Sequence, residues 1–430
     1  MLGRLGQLFA VEELRKRILY TLGMLLVFRI GAFIPVPGVD TARLADVFAG
    51  AFGAGLFGFI NLFTGGALEQ FSLFALGVIP YINASIILSL LIPVFPKLKK
   101  LQDEGREGRK KLTQYTRWGT VGLALVQAYA MGFLVIQYGL AQPSVGFFVS
   151  TVISLTAGSI FLMWVGERIT ENGVGNGISL LIMAGIVARL PAEIGQAALE
   201  ISTGAVHPLW GIGLIGLFVA VVALTVIIQQ GQRKIVVQYA KRTSGRRVYG
   251  GHTTHLPLRV NQGGVIPIIF AGAILTLPSS IATWIPQLNW LQPYIAMGSG
   301  IYLVAYVLLI FFFTYFYSAL VFDPTDIAKN LREAGGFVPG VRPGQPTADH
   351  LGDVTNRLLL VGGVFLAGVA VLPFVFTALS GMRGFALGGT SILILVGVGI
   401  DTIMQIEAHL VMRQYESLVK GSAFLGRKGL

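Results

Sequence analysis

The chain has 430 residues, 54% of them hydrophobic and 12% charged, with a mean hydropathy of +0.73 and a net charge of +12. A soluble domain carries about 25% charged residues, so an ordinary soluble enzyme is excluded, and a disordered chain would lack this much apolar surface. The absence of cysteine removes disulfides, thiolate metal sites and cysteine nucleophiles.

A bilayer-spanning helix needs about 20 mostly apolar residues. The sequence offers ten such stretches, near residues 18–36, 71–92, 118–138, 147–166, 174–190, 209–229, 264–285, 301–322, 358–379 and 385–406. The fold class is therefore all-α and polytopic. The 56 glycines lie mostly inside these runs, where they let helices approach closely. Arg15-Lys16-Arg17 precedes the first stretch like the n-region of a signal peptide. Pro35-Val-Pro-Gly38 follows in place of a small-residue cleavage site, so a retained helix is expected.

Between the first two spans, Phe52–Phe71 holds Asn61, Thr64, Gly65, Gly66 and Glu69 and is too polar to cross comfortably. It reads as an outer loop, or as a short re-entrant helix buried in protein or lining a water-filled cavity. Ile82 and Ile86 share one face of the second span, and Ile182 and Ile186 repeat that spacing in the fifth. Such pairs ordinarily signal lipid or core packing. Asn83-Ala-Ser85 matches a glycosylation pattern inside an apolar helix, where it is not a usable acceptor. Asn172-Gly-Val-Gly-Asn-Gly177 lacks the following Lys-Ser/Thr and the preceding strand of a phosphate loop. It reads as a flexible lead-in to a short fifth helix.

Two polar segments are longer than a connection requires. Residues 230–262 carry Arg233, Lys234, Lys241, Arg242, Arg246, Arg247 and Arg259 with no acidic residue. Arg233–Tyr239 has β-branched, strand-like content, and Thr243-Ser-Gly245 before Arg246-Arg247 suits a hairpin tip. Residues 323–357 are of mixed charge, with Pro339, Pro343 and Pro346 around Arg342. A structured basic protrusion suits an acidic protein surface or nucleic-acid phosphates.

Charge also sets orientation, because cytoplasmic loops collect Lys and Arg. With the N-terminus inside, 28 of the 32 basic residues fall on the cytoplasmic side, which places both termini there. Ten spans divide five and five, and duplication of an odd-numbered half inverts the copy. Few ionisable residues enter the spans: Arg29 in the first, and Asp401 and Glu407 near the inner end of the tenth, where snorkelling or interfacial pairing is expected. No charge relay forms at mid-depth, which disfavours an ion-driven pump. Two readings need no resemblance: a small-solute secondary transporter with saturable uptake, and a non-conducting membrane receptor that uses only its loops.

A series of blocks then resembles the SecY family, the channel subunits of the bacterial Sec translocase. The blocks are Pro35-Val-Pro-Gly-Val-Asp40, Gly65-Gly-Ala-Leu68, Pro80-Tyr-Ile-Asn-Ala-Ser-Ile86, Glu167-Arg-Ile-Thr-Glu-Asn-Gly-Val-Gly-Asn-Gly-Ile-Ser179, Val236-Val-Gln-Tyr-Ala-Lys-Arg242, Leu256-Pro-Leu-Arg-Val-Asn261, Gly336-Phe-Val-Pro-Gly-Val-Arg-Pro-Gly344, Gly388-Gly-Thr-Ser391 and Gln414-Tyr-Glu-Ser417. The resemblance implies two inverted five-helix halves, residues 1–195 and 196–430, enclosing a passive hourglass pore. A lateral gate would lie between the second and third spans on one side and the seventh and eighth on the other. It assigns a pore ring to Ile82, Ile86, Ile182, Ile186, Ile269 and Ile394, with Ile266 nearby. It assigns a re-entrant plug helix to residues 60–71, including Asn61, Thr64, Gly65, Gly66 and Glu69. Where many bacterial members carry a basic plug residue, this chain has Glu69-Gln70. The two long loops become docking surfaces for the motor ATPase SecA and for ribosomal RNA, led by Arg246, Arg247 and Arg342, with Lys241 and Arg242 beside them. SecE and SecG are implied as subunits, with signal sequences, nascent polypeptide and bilayer lipid as further partners. The implied location is the bacterial plasma membrane, and no cofactor, metal or catalytic residue is expected.

Overall fold

A computed structural model describes the chain apart from residues 1–10, 41–42, 45–60, 62, 240–241, 245–246, 250–252, 285–293, 295–297, 382–388 and 426–430. The described residues form helices α1 (Glu12–Gly31), α2 (Ile79–Val94), α3 (Pro96–Asp103), α4 (Arg106–Gln137), α5 (Val145–Asn172), α6 (Gly177–Ser202) and α7 (Pro208–Gln230). A strand region follows, β1 (Gln232–Tyr239), β2 (Arg242–Ser244), β3 (Arg247–Tyr249) and β4 (Thr253–Arg259). Then come α8 (Ile266–Trp284), α9 (Gly300–Val321), α10 (Pro324–Glu333), β5 (Gly336–Phe337), α11 (Gln345–Ser380) and α12 (Gly389–Leu425). Seven helices among the described residues are long and apolar enough to cross a membrane, or eight if the bent pair α2–α3 is one span. The protein is a multi-pass, helical membrane protein.

The apolar runs form helices because lipid offers the backbone no hydrogen-bond partner. Several buried hydroxyls find partners in the helix backbone. Thr116, Thr120, Thr225 and Thr314 each donate to the carbonyl four residues back, at 2.6–3.1 Å. Several helix boundaries differ from the sequence expectation. The second span starts at Ile79 rather than residue 71, because residues 71–78 are turns anchored by a bridge between Pro35 and Ser72. Pro80 opens α2, and the chain then bends by 101° between α2 and α3, where Pro93 and Pro96 flank Phe95. The fifth helix is not short: α6 continues through Pro191 to Ser202, for 26 residues.

The described residues of Met1–Thr203 and Val398–Leu430 make one compact unit, and those of Gly204–Met382 and Leu387–Gly397 a second. In the first unit the glycine-rich turn before α6 is pinned, in contrast to the flexible lead-in expected from composition. Val174 N donates to Thr21 Oγ1 at 3.0 Å, Gly175 N to Gln405 Oε1 at 3.1 Å, and Gly177 N to Thr170 Oγ1 at 2.8 Å. Asn176 Oδ1 caps α6 by accepting from Ser179 N. The glycines are needed for closeness: a Cβ on Gly177 would lie 1.9 Å from the Gly166 carbonyl oxygen. Across α4 and α5, Arg117 makes a two-point ion pair with Glu167 at 2.8 and 2.9 Å.

In the second unit both long loops fold together. β1 pairs antiparallel with β4, from Gln232 opposite Arg259 to Gln238 opposite Thr253, and on its other edge with β5, Gln238 opposite Phe337. Ile235, Leu258, Val338 and Leu351 form a small buried core, joined by Val341, Val354 and Leu358. Strands β2 and β3 pair antiparallel, with Ser244 opposite Arg247. The basic segment and the proline-rich segment are thus one platform with its own core.

Candidate functional site

The half-hydrophobic segment before α2 is the least ordinary part of the first unit. From Asn61 to Val78 it folds as one short helical turn and successive bends, and it is mostly buried. Asn61 organises it: its Nδ2 donates to Glu69 Oε2 at 3.1 Å, while its Oδ1 accepts from Glu69 N at 3.1 Å. Thr64 Oγ1 donates to the Asn61 carbonyl at 3.2 Å, and Gly66 N to the same oxygen at 3.0 Å. Gly65 and Gly66 take positive φ of 68° and 87°, which side-chain-bearing residues adopt only with strain. The segment therefore satisfies part of its polar groups internally, and neighbouring elements supply partners for others.

Its outer surface fits two helices at contact distance. A Cβ on Gly65 would stand 2.9 Å from Gly185 Cα of α6, and one on Gly185 would stand 2.6 Å from the Phe63 carbonyl oxygen. On α5 a Cβ on Gly158 would stand 1.9 Å from the Leu73 carbonyl oxygen. Backbone thus meets helix at two glycines. Two arginines add direction. Arg29 NH1 donates to the Gly65 carbonyl at 2.8 Å and its guanidinium lies 4.5 Å from the Phe33 ring centroid, so it pairs with a carbonyl and an aromatic face. Arg189 of α6 reaches Glu69 Oε2 at 3.1 Å and Glu193 Oε1 at 3.5 Å. Sequence reasoning identified Asn61, Thr64, Gly65, Gly66 and Glu69 but missed Gly185, Arg189 and Glu193. The visible signal was an Arg and a Glu four residues apart on one helix face beside an apolar span.

The six isoleucines are distributed over both units. In the first, Ile82 and Ile86 lie on α2 and Ile182 and Ile186 on α6; Ile86, Ile182 and Ile186 are buried and Ile82 is half-buried. In the second, Ile269 lies half-buried on α8 and Ile394 buried on α12. Each sits on a helix, and none carries a polar group.

The platform holds the basic residues. Arg242 and Arg247 stand on paired strands, while Lys241 and Arg246 lie outside the described residues. Arg342 lies in the turn between β5 and α11, and its carbonyl accepts from Thr347 Oγ1 at 2.8 Å. Among the described residues no ion pair engages its guanidinium, and the residue is exposed.

A family model described as SecY matches residues 72–403. The Protein translocase subunit SecY of Thermotoga maritima is 46% identical over 431 residues, covering 98% of each chain. A solved structure described as "The structure of a protein conducting channel" superposes with a TM-score of 0.64 at 19% identity, covering 92% of this chain and 93% of that one. A second, concerning the plug domain of the SecY protein and the closed state of its channel, gives 0.62 at 19% identity and covers 92% of each.

Proposed function

The chain belongs to the SecY family, and from that membership we propose that it is the protein-conducting subunit of a bacterial Sec translocase. It passes unfolded secretory polypeptides across the plasma membrane and releases membrane-protein helices sideways into lipid. Both termini are cytoplasmic, and residues 1–195 and 196–430 are the two inverted halves. The chain catalyses no reaction: SecA or the ribosome supplies the work through the basic platform, and SecE and SecG complete the complex. The carrying observation is the segment from Asn61 to Phe71, a half-hydrophobic, glycine-bearing stretch buried among spans. Non-helical backbone is tolerated at membrane depth only when protein encloses it or it lines a cavity, and a displaceable stopper meets both conditions.

The apolar ring supplies the mechanism. Ile82, Ile86, Ile182, Ile186, Ile269 and Ile394 offer no hydrogen bond, so a constriction lined by them sheds water and gives an ion no site. The same lack of polar groups lets any sequence slide through without binding. Replacing Ile182 or Ile394 with serine is expected to raise ion conductance in planar bilayers by several-fold, because each hydroxyl helps to wet the constriction. Wild-type conductance in both variants would remove them from the ring.

The deciding test is transport. The chain, reconstituted with SecE and SecG into vesicles, is given an unfolded secretory precursor, SecA and ATP. Protease-protected, ATP-dependent precursor is the expected result. SecA binding without protected precursor would overturn the channel reading and leave a receptor.

A further inference from the structure

Arg189 serves two carboxylates that differ in what they are attached to. Glu193 lies one turn further along the same helix, and its side chain is 2% exposed. Glu69 belongs to the segment that packs against that helix, is 42% exposed, and is held in place by both polar atoms of Asn61. Gly185, where the backbone of residues 63–65 nests into α6, is four residues before Arg189 and so lies on the same face. The nesting contact and the ion pair are adjacent turns of one surface. When the segment leaves, Glu69 leaves with it and Glu193 stays.

We propose that Arg189 is the shared counter-ion of a hand-over latch for the plug. With the plug seated, the guanidinium donates to Glu69 Oε2 at 3.1 Å, while its Nε lies in ionic contact with Glu193 Oε1 at 3.5 Å. With the plug withdrawn, Glu193 alone neutralises it. Removing one partner from a buried pair is costly because it strands a charge, and Glu193 prevents that stranding at the moment of opening. The latch therefore registers the plug over Gly185 without locking it. This inference rests on the channel reading above.

The two carboxylates consequently act in opposite directions. Glu69→Gln keeps the shape and hydrogen bonding of the side chain but removes the charge that holds the plug. Glu193→Gln leaves Arg189 dependent on Glu69 and holds the plug more firmly. A pair that served only to stabilise the fold would shift both variants the same way.

The experiment reconstitutes the complete complex in planar bilayers and, in parallel, in vesicles that report precursor transport. Glu69→Gln is expected to raise basal leak roughly two- to fivefold, the range of a partly exposed ion pair. Glu193→Gln is expected to delay precursor-triggered conductance by a similar factor. Shifts in the same direction, or none, overturn the latch. Should Glu193→Gln yield no folded complex, Arg189→Lys decides, since an ammonium on a flexible stem stays with Glu193 and releases Glu69. Leak then rises as in Glu69→Gln, and unchanged leak overturns the proposal. If the wild-type vesicles transport no precursor, the channel reading itself fails and the latch with it.

Discussion

Gly158→Val is expected to remove most of the folded protein. The site is a contact of backbone against backbone: a Cβ there would lie 1.9 Å from the Leu73 carbonyl oxygen and 3.3 Å from Leu73 Cγ. Leu73 has nowhere to retreat, because its N–H donates to the Ile34 carbonyl at 2.9 Å and its neighbour Ser72 forms the bridge to Pro35. Accommodating valine means prising the segment from α5 and breaking that bridge. Overpacking of a well-filled interior costs about 1–3 kcal/mol, and the immobility of backbone puts this case at the upper end or beyond. The thermal midpoint of the detergent-purified protein should fall sharply. Gly122→Val on α4 is the control, since a Cβ there meets nothing within 4 Å. Equal midpoints for the two variants would contradict the packing described.

The second large effect is functional. Arg342→Glu should depress SecA-driven transport by about an order of magnitude while the thermal midpoint stays at the wild-type value. Charge reversal on a docking surface replaces attraction by repulsion, and close like charges across an interface cost several kcal/mol. The fold is insulated because the turn is held by backbone and hydroxyl groups: Val341 N donates to the Val338 carbonyl at 3.2 Å and Thr347 Oγ1 to the Arg342 carbonyl at 2.8 Å. Transport and SecA binding at wild-type levels would take Arg342 out of the docking surface. Loss of transport together with a lowered midpoint would show that the residue holds the fold instead.

The spans were legible in the sequence because the bilayer imposes one simple demand, some 20 apolar residues in a row, and runs such as residues 209–229 meet it without interruption. The strand at Arg233–Tyr239 was legible from its β-branched residues. Helix ends were harder where they leave the lipid. The ninth span was expected at 358–379, whereas α11 begins at Gln345, because the turns around Asp349 and Asp353 are amphipathic and carry no long apolar run. The fifth span, expected near 174–190, instead continues through Pro191 to Ser202. The residues that fix the buried segment were illegible for another reason. Glu69 and Arg189 are 120 positions apart, and Gly65 and Gly185 likewise, and no local pattern announces that distance. Likewise the spacing of Ile82 and Ile86 is that of any buried helix face, and only the family resemblance gives it a role.

The platform and the membrane are joined without a hinge. Helix α11 has 36 residues, about 54 Å at 1.5 Å per residue, against roughly 40–45 Å for a whole bilayer with its headgroups. Its first turns supply Leu351, Val354 and Leu358 to the platform core, and its later turns are the span itself. A hydrogen-bonded helix resists compression along its axis, and the first interior proline, Pro373, comes only near the far end. The core beneath the sheet and the lipid-crossing turns are therefore parts of one continuous helix.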